Sequence, residues 1–239
     1  VQNRSYLQRN HLLHIVLVLA FCLSVGFCLT SSPTAAFAKS YTMPEVQIEA
    51  SADSAGDLSV SEDRTFDFDG SFTAVWWNFN NLPSGAGIEI ESVKVTAGGK
   101  TTTLPSVPFQ TSWRSAGGPS KAAYSFDGAE DAVYVFYNFD DEEATVTLNY
   151  HVLNAVQIYN DTAELYWQFV GKGWAEDSDN ISLTLNMPVP TGEKIVKGET
   201  ISAWGHGPLD ATVAIDDTTG QITCDVPQLS AGSYAEIRV

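Results

Sequence analysis

Cysteine is scarce: of three in 239 residues, Cys22 and Cys28 lie in an apolar leader and only Cys224 lies beyond it. A lone thiol can form neither an intramolecular disulfide nor a thiolate metal cluster. Whatever follows the leader must be held by its core, and roughly 200 residues can bury enough apolar surface for that. Basic residues are also few. Twelve Lys and Arg stand against 29 Asp and Glu, and two of the twelve, Arg4 and Arg9, belong to the leader. Nucleic acid and anionic membrane surfaces attract basic patches, so neither is an expected partner. Beyond the leader there are two histidines, His151 and His206. The G-x-S-x-G and H-E-x-x-H patterns are missing. Gly99-Lys100-Thr101 copies the end of a phosphate loop, but Lys94 stands where that loop needs its first glycine. No catalytic residues, bound metal or cofactor are expected, and the chain does not read as an enzyme.

What is present begins with the leader. Arg4 and Arg9 precede an apolar run from Ile15 to Leu29, and small residues follow, ending in Ala36-Phe37-Ala38. A charged region, an apolar region and an A-x-A site in that order predict a cleaved secretory signal over residues 1–38. Residues 39–239 are then an exported domain. The competing reading is an uncleaved anchor, since the run counted from Leu12 approaches the ~18–20 residues that span a bilayer. His14, Ser24 and Gly26 interrupt it, and neither leader cysteine follows a small residue as a lipid-attachment site requires.

Beyond the leader, β-branched and aromatic residues alternate with polar ones in short runs. Val46, Ile48 and Ala50 form one run; Leu58, Val60, Phe66 and Phe68 share the face of the next. Asp69-Gly70 signals a tight turn into Val75, Trp77 and Phe79. Ile88 and Ile90 have one parity and Val93 and Val95 the other, which predicts a bulge near Ser92. Val133 to Phe139, Val146 to Val152 and Ile181 to Met187 alternate again. Val213-Ile215 and Ile222-Val226 suit a hairpin about Thr219-Gly220. Residues 162–170 fit a short capped helix or a strand, and their aromatics favour strand. Residues 96–128 read as long loops, and Pro188 to Gly198 offers a sub-boundary near 190. The pattern as a whole predicts an all-β fold, an antiparallel β-sandwich with Greek-key-like or jelly-roll connections and few or no helices.

Acidic pairs at Asp67/Asp69, Asp140–Glu143, Asp177/Asp179 and Asp216/Asp217 have oxygen ligands for calcium, but none has the twelve-residue loop spacing. The tryptophans carry more information. Trp77 and Trp167 share strand faces with apolar residues and read as core. Trp76, Trp113, Trp174 and Trp204 have polar or glycine-rich neighbours and could stack on sugar faces. His206, in Trp204-Gly-His-Gly-Pro208, could cap backbone groups or line a pocket.

Tyr150-His-Val-Leu-Asn-Ala-Val-Gln-Ile-Tyr-Asn-Asp161, continuing through Ala163-Glu-Leu-Tyr-Trp167 and Val170-Gly-Lys-Gly-Trp174, resembles the extracytoplasmic N-terminal domain of the YciQ-like predicted membrane proteins. Leu58 to Gly70, Trp204-Gly-His-Gly-Pro-Leu209 and Ala235-Glu-Ile-Arg-Val239 are similar too, so the resemblance covers nearly all of residues 41–239. It implies a signal peptide, a β-rich domain outside the membrane and then transmembrane helices, so the chain reads as a fragment anchored by a segment after Val239. That family has no established activity to carry over. Asp161, Glu164, Trp174, Trp204 and His206 are the candidate ligand-binding residues, with Asp161, Glu164, Trp167 and Trp174 equally readable as fold determinants.

Three functions fit. The leading one is a noncatalytic binding or sensing module of a membrane-anchored bacterial protein, its partner an envelope protein or a glycan. A secreted sugar-binding or glycoside-cleaving domain would show a cleft with several of Trp76, Trp113, Trp174 and Trp204 exposed beside carboxylates. A structural or adhesive surface domain would show a broad apolar patch or an open sheet edge.

Overall fold

The computed structural model describes residues 39–79, 82–189, 192 and 194–239. The expected signal peptide over residues 1–38 lies outside the described residues. Strand β1 spans Ser40–Ala52, β2 Leu58–Asp69, β3 Ser71–Asn78, β4 Gly87–Ala97 and β5 Lys100–Thr103. A 3-10 turn at Thr111–Arg114 precedes β6 (Ala123–Asp127), β7 (Ala132–Asp140), β8 (Glu143–Leu153) and β9 (Val156–Ile158). Then come β10 (Ala163–Val170), β11 (Ser178–Asn186), β12 (Trp204–His206), β13 (Thr212–Ile215), β14 (Ile222–Leu229) and β15 (Ala235–Arg238). Among the described residues no helix is long and apolar enough to cross a membrane.

The strands form an eight-stranded sheet, β13-β14-β11-β1-β2-β8-β4-β5, a four-stranded sheet, β12-β15-β10-β9, and a three-stranded sheet, β3-β7-β6. Alternation along the large sheet gives it one apolar face, on which Val46, Ile48, Leu58, Phe66, Val146 and Leu148 are buried. Its other face is polar, with Thr65 hydrogen-bonded to Thr145 and Ser59 to His151 across neighbouring strands. Both smaller sheets lie on the apolar face. Trp77 of β3 and Phe139 of β7 meet Phe66 and Phe68 of β2, while Phe169 of β10 and Ile237 of β15 border the same cavity as Ile48, Ile181 and Val226. This is the all-β sandwich expected from the alternation.

Several local expectations hold. The β4–β8 register shifts between Ile90 and Ser92, where the change of parity places a bulge. Residues 163–170 are strand, and β13 and β14 form the hairpin with Ile215 opposite Ile222. Three details differ. First, β1 pairs with β11 in parallel, Val46 opposite Ile181, while it pairs with β2 antiparallel. Alternation reports that one face is buried, not strand direction, so it does not reveal this pairing. Second, residues 96–128 contain β5, the 3-10 turn and β6. Lys100–Thr103 is an edge strand with little buried on either face, and so leaves no apolar period. Third, the tight turn expected at Asp69-Gly70 forms, but as a corner between layers, since β2 and β3 belong to different sheets. Gly70 has φ +94°, and a Cβ there would come within 2.8 Å of Lys39 Cβ, so the corner requires glycine.

Candidate functional site

Three of the candidate residues meet on the outer face of the four-stranded sheet. Tyr166 on β10 lies opposite Arg238 on β15, which lies opposite Trp204 on β12. In the next row Gln168, Glu236 and His206 follow the same order. Side chains two apart on a strand share a face, so these six form a two-by-three array above buried Leu165, Trp167 and Ile237. Glu164 adds a corner: its Oε2 accepts from Arg238 Nη2 at 2.9 Å. Trp204 is 54% and Tyr166 46% exposed.

The array is tied together by charge. The Tyr166 hydroxyl donates to Glu236, and that hydrogen bond, followed by burial and the carboxylate's charge, pushes the phenol up to about 12. His206 Nδ1 lies 3.9 Å from Glu236 Oε1, and the imidazole stands edge-on to the Tyr166 ring at 5.7 Å. Arg238, raised by its hydrogen bond to Glu164, has its guanidinium 5.7 Å from the centre of the Trp204 ring. The local sequence sets this up: Gly207 has φ +153°, and a Cβ there would come within 2.8 Å of the Tyr234 carbonyl oxygen. Only a glycine after His206 lets the chain turn this close to β15. His206 also borders an apolar interlayer cavity of about 390 Å³ with Ile48, Ile181 and Val226.

Asp161 lies in the β9–β10 turn and borders an open cleft of about 600 Å³ with Glu164, Trp204 and Arg238. Reading the sequence missed Tyr166, Gln168, Glu236 and Arg238. Parity was the available signal, since Glu164, Tyr166 and Gln168 alternate with buried Leu165, Trp167 and Phe169.

Trp174 lies elsewhere. Its ring packs on Phe66 and Trp77 and carries the Arg64 guanidinium 4.1 Å above it. Arg64 and Glu62, two apart on β2, form a buried ion pair with side chains 0% and 2% exposed. Arg64 Nε and Nη2 donate to Glu62 Oε1 at 2.9 and 2.7 Å, and Trp77 Nε1 donates to the same oxygen at 2.9 Å. Arg64 Nη1 reaches Ser178 Oγ at 3.3 Å. Trp174 is thus the lid of a structural ion pair, not part of the exposed array.

Trp76, 51% exposed, stacks on Tyr134. Trp113 is partly buried against Phe136 at 5.1 Å, held there by Arg114, which donates to both Asp127 oxygens at 2.6 and 2.8 Å and keeps that carboxyl below its usual range. Trp76, Trp113 and Trp174 border one cleft of about 520 Å³, and among the described residues none of its lining is acidic. The acidic pairs serve turns: Asp216 Oδ1 accepts from the Thr218 and Thr219 amides, and Asp177 Oδ1 from the Ala231 amide. Among the described residues no three His, Cys, Asp or Glu side chains are placed to hold a metal ion.

No curated protein matches the chain. Among solved structures it is similar to a putative protease from Parabacteroides distasonis ATCC 8503, with 9% identity, TM-score 0.43, and coverage of 83% of this chain and 40% of that one. It is similar also to an M1 zinc metallopeptidase from Deinococcus radiodurans, with 9% identity, TM-score 0.47, and coverage of 83% and 42%. The chain spans about two fifths of the length of these structures. One family model, "Predicted membrane protein (DUF2207) N-terminal domain", covers residues 42–239, the stretch on which the sequence resemblance rested. The chain belongs to this family of predicted membrane proteins, as their N-terminal domain.

Proposed function

We propose that this domain is a noncatalytic binding module on the outer side of the membrane, and that it recognises another envelope protein through the outer face of the β12-β15-β10-β9 sheet. The observation that carries this reading is the two-by-three array, in which a half-exposed Trp and Tyr flank an Arg on a rigid sheet. Trp, Tyr and Arg dominate the energetics of protein interfaces. Ile158, Tyr159 and Leu209, also exposed, widen the apolar surface around the sheet. Neighbours already hold each charge of the array in place, so a partner would meet a preorganised surface.

Cys224 supports a direct test. It is buried, and burial followed by Asp225 pushes its thiol up to about 11, so it resists labelling. Leu209→Cys, at a fully exposed position beside the array, would be labelled on intact cells with a membrane-impermeant benzophenone maleimide and irradiated. The expected result is labelling without lysis and a discrete protein adduct that disappears when Trp204→Ala is added. Labelling only after lysis, or an adduct indifferent to Trp204, would refute the reading.

A further inference from the structure

The edges of the three sheets are short, with one exception. Strands β5 and β13 have 4 residues each, β9 and β12 have 3 each, and β6 has 5. The β6 edge is also partly covered, because Tyr124 exchanges hydrogen bonds with Pro105 and Val107. β3 is an edge strand of 8 residues. Its sequence, Ser-Phe-Thr-Ala-Val-Trp-Trp-Asn, has no charge and no proline. Edges are normally blunted by Lys, Pro, bulges or brevity, and β3 has only a shift of register against β7 between Phe72 and Ala74, with the extra residue on β7. Among the described residues its ladder partners all lie on β7, which leaves its other side unpaired.

The 520 Å³ cleft runs along this edge. Residues 72–76 border it consecutively. Successive strand residues point to opposite faces, so five in a row can line one cleft only along the strand's edge. Tyr41 and Trp174 stand on the lining beside it, and Trp113 closes it over Phe136. Lys39, which makes no ion pair among the described residues, sits over the Phe72 ring at 4.6 Å. Arg114 is already paired with Asp127 and Glu130, so in a chain of net charge −17 Lys39 is what gives this cleft a positive charge.

We infer that this cleft takes one extended polypeptide segment of a partner protein by strand addition to β3. Side chains on one face of the segment meet Trp113, those on the other face meet Trp174, and an acidic residue lies near Lys39. Unpaired backbone supplies affinity in this mode, and pockets for alternate side chains supply selectivity. A wall rich in aromatic side chains and poor in amides and carboxylates suits a peptide better than a sugar, whose hydroxyls need such partners. The residues differ from those of the β12-β15 array, so either reading can fail without the other.

The test uses the full chain and synthetic peptides of about eight residues, the length of β3, with Val, Ile or Phe on both faces and one Asp. Binding peptides should slow amide exchange at residues 72–76 by about tenfold or more. N-methylation of the peptide nitrogens facing β3 should abolish binding, while methylation of the other alternate set should leave it unchanged. Thr73→Lys, at an exposed position on the edge, should weaken binding about tenfold with no change in melting temperature. Failure of every peptide to slow these amides, equal effects of the two methylation patterns, or protection by an oligosaccharide but by no peptide would each overturn the inference.

Discussion

Arg64 is fully buried yet meets a carboxylate, a hydroxyl and an aromatic face. Such a pair contributes little net stability, but removing one partner strands the other charge in a dry site, at a cost of about 3–5 kcal/mol. Arg64→Met should therefore lower the urea midpoint sharply. Replacing both, Glu62→Leu with Arg64→Met, should recover most of the loss, short by about 1–3 kcal/mol for the Trp77 indole N–H left without its acceptor. Equal loss in the single and double variants would show that the pair is not coupled. Tyr166 gives a pH prediction. Its folded value near 12 lies above the unfolded value of 10.0, so the folded state retains the proton longer. Its contribution is complete below pH 10 and is lost as pH rises toward 12. Tyr41, Tyr134 and Tyr150 are raised as well, so absorbance of phenolate should show several late-titrating tyrosines, one fewer in Tyr166→Phe. Both features were within reach of the sequence in part. The parity that placed Val60 and Phe66 inside also places Glu62 and Arg64 there, but charged residues on an apolar face read as an interruption. Trp204, His206 and Glu164 stood out singly; their meeting depends on β15 inserting between β10 and β12, and alternation does not record which strands are neighbours.

At the scale of elements, the bulge in β4 is where local sequence specified most. Glu91 is the extra residue between Ile90 and Ser92, and it lets Ile88 pack inward before the bulge and Val93 and Val95 after it. Deleting it would turn one of these groups to solvent, because a one-residue slip reverses every side chain. At ~1.5–3 kcal/mol for each buried side chain, the deletion should abolish cooperative thermal unfolding monitored by circular dichroism. Glu91→Ala should stay within about 0.5 kcal/mol of the parent, since its 3.8 Å contact with His151 is exposed. A stable, cooperative deletion variant would mean the register is set elsewhere. The bulge was legible because a change of parity is written in four apolar residues. The corner at Gly70 was not, because a turn between sheets and a hairpin turn draw on the same residue types.

For the whole molecule, the large sheet mixes near and distant partners. β4 pairs with β5 across Gly98-Gly99, while β1 pairs with β11 from the far part of the chain. Non-local pairing of this kind slows folding into the range of about milliseconds to seconds. Refolding from urea, followed by tryptophan fluorescence, should show no major submillisecond phase. The position of β1, between β2 and β11, also bears on how the protein comes into being. A chain made or threaded through a pore N-terminus first presents β1 early and can dress one side of it with β2 almost at once. The other side stays bare until residues 53–177 have passed and β11 arrives, so a strand of 13 residues with one apolar face waits half-paired while that stretch is made. A companion that shields that edge in the interval would decide how much of the protein reaches its folded state.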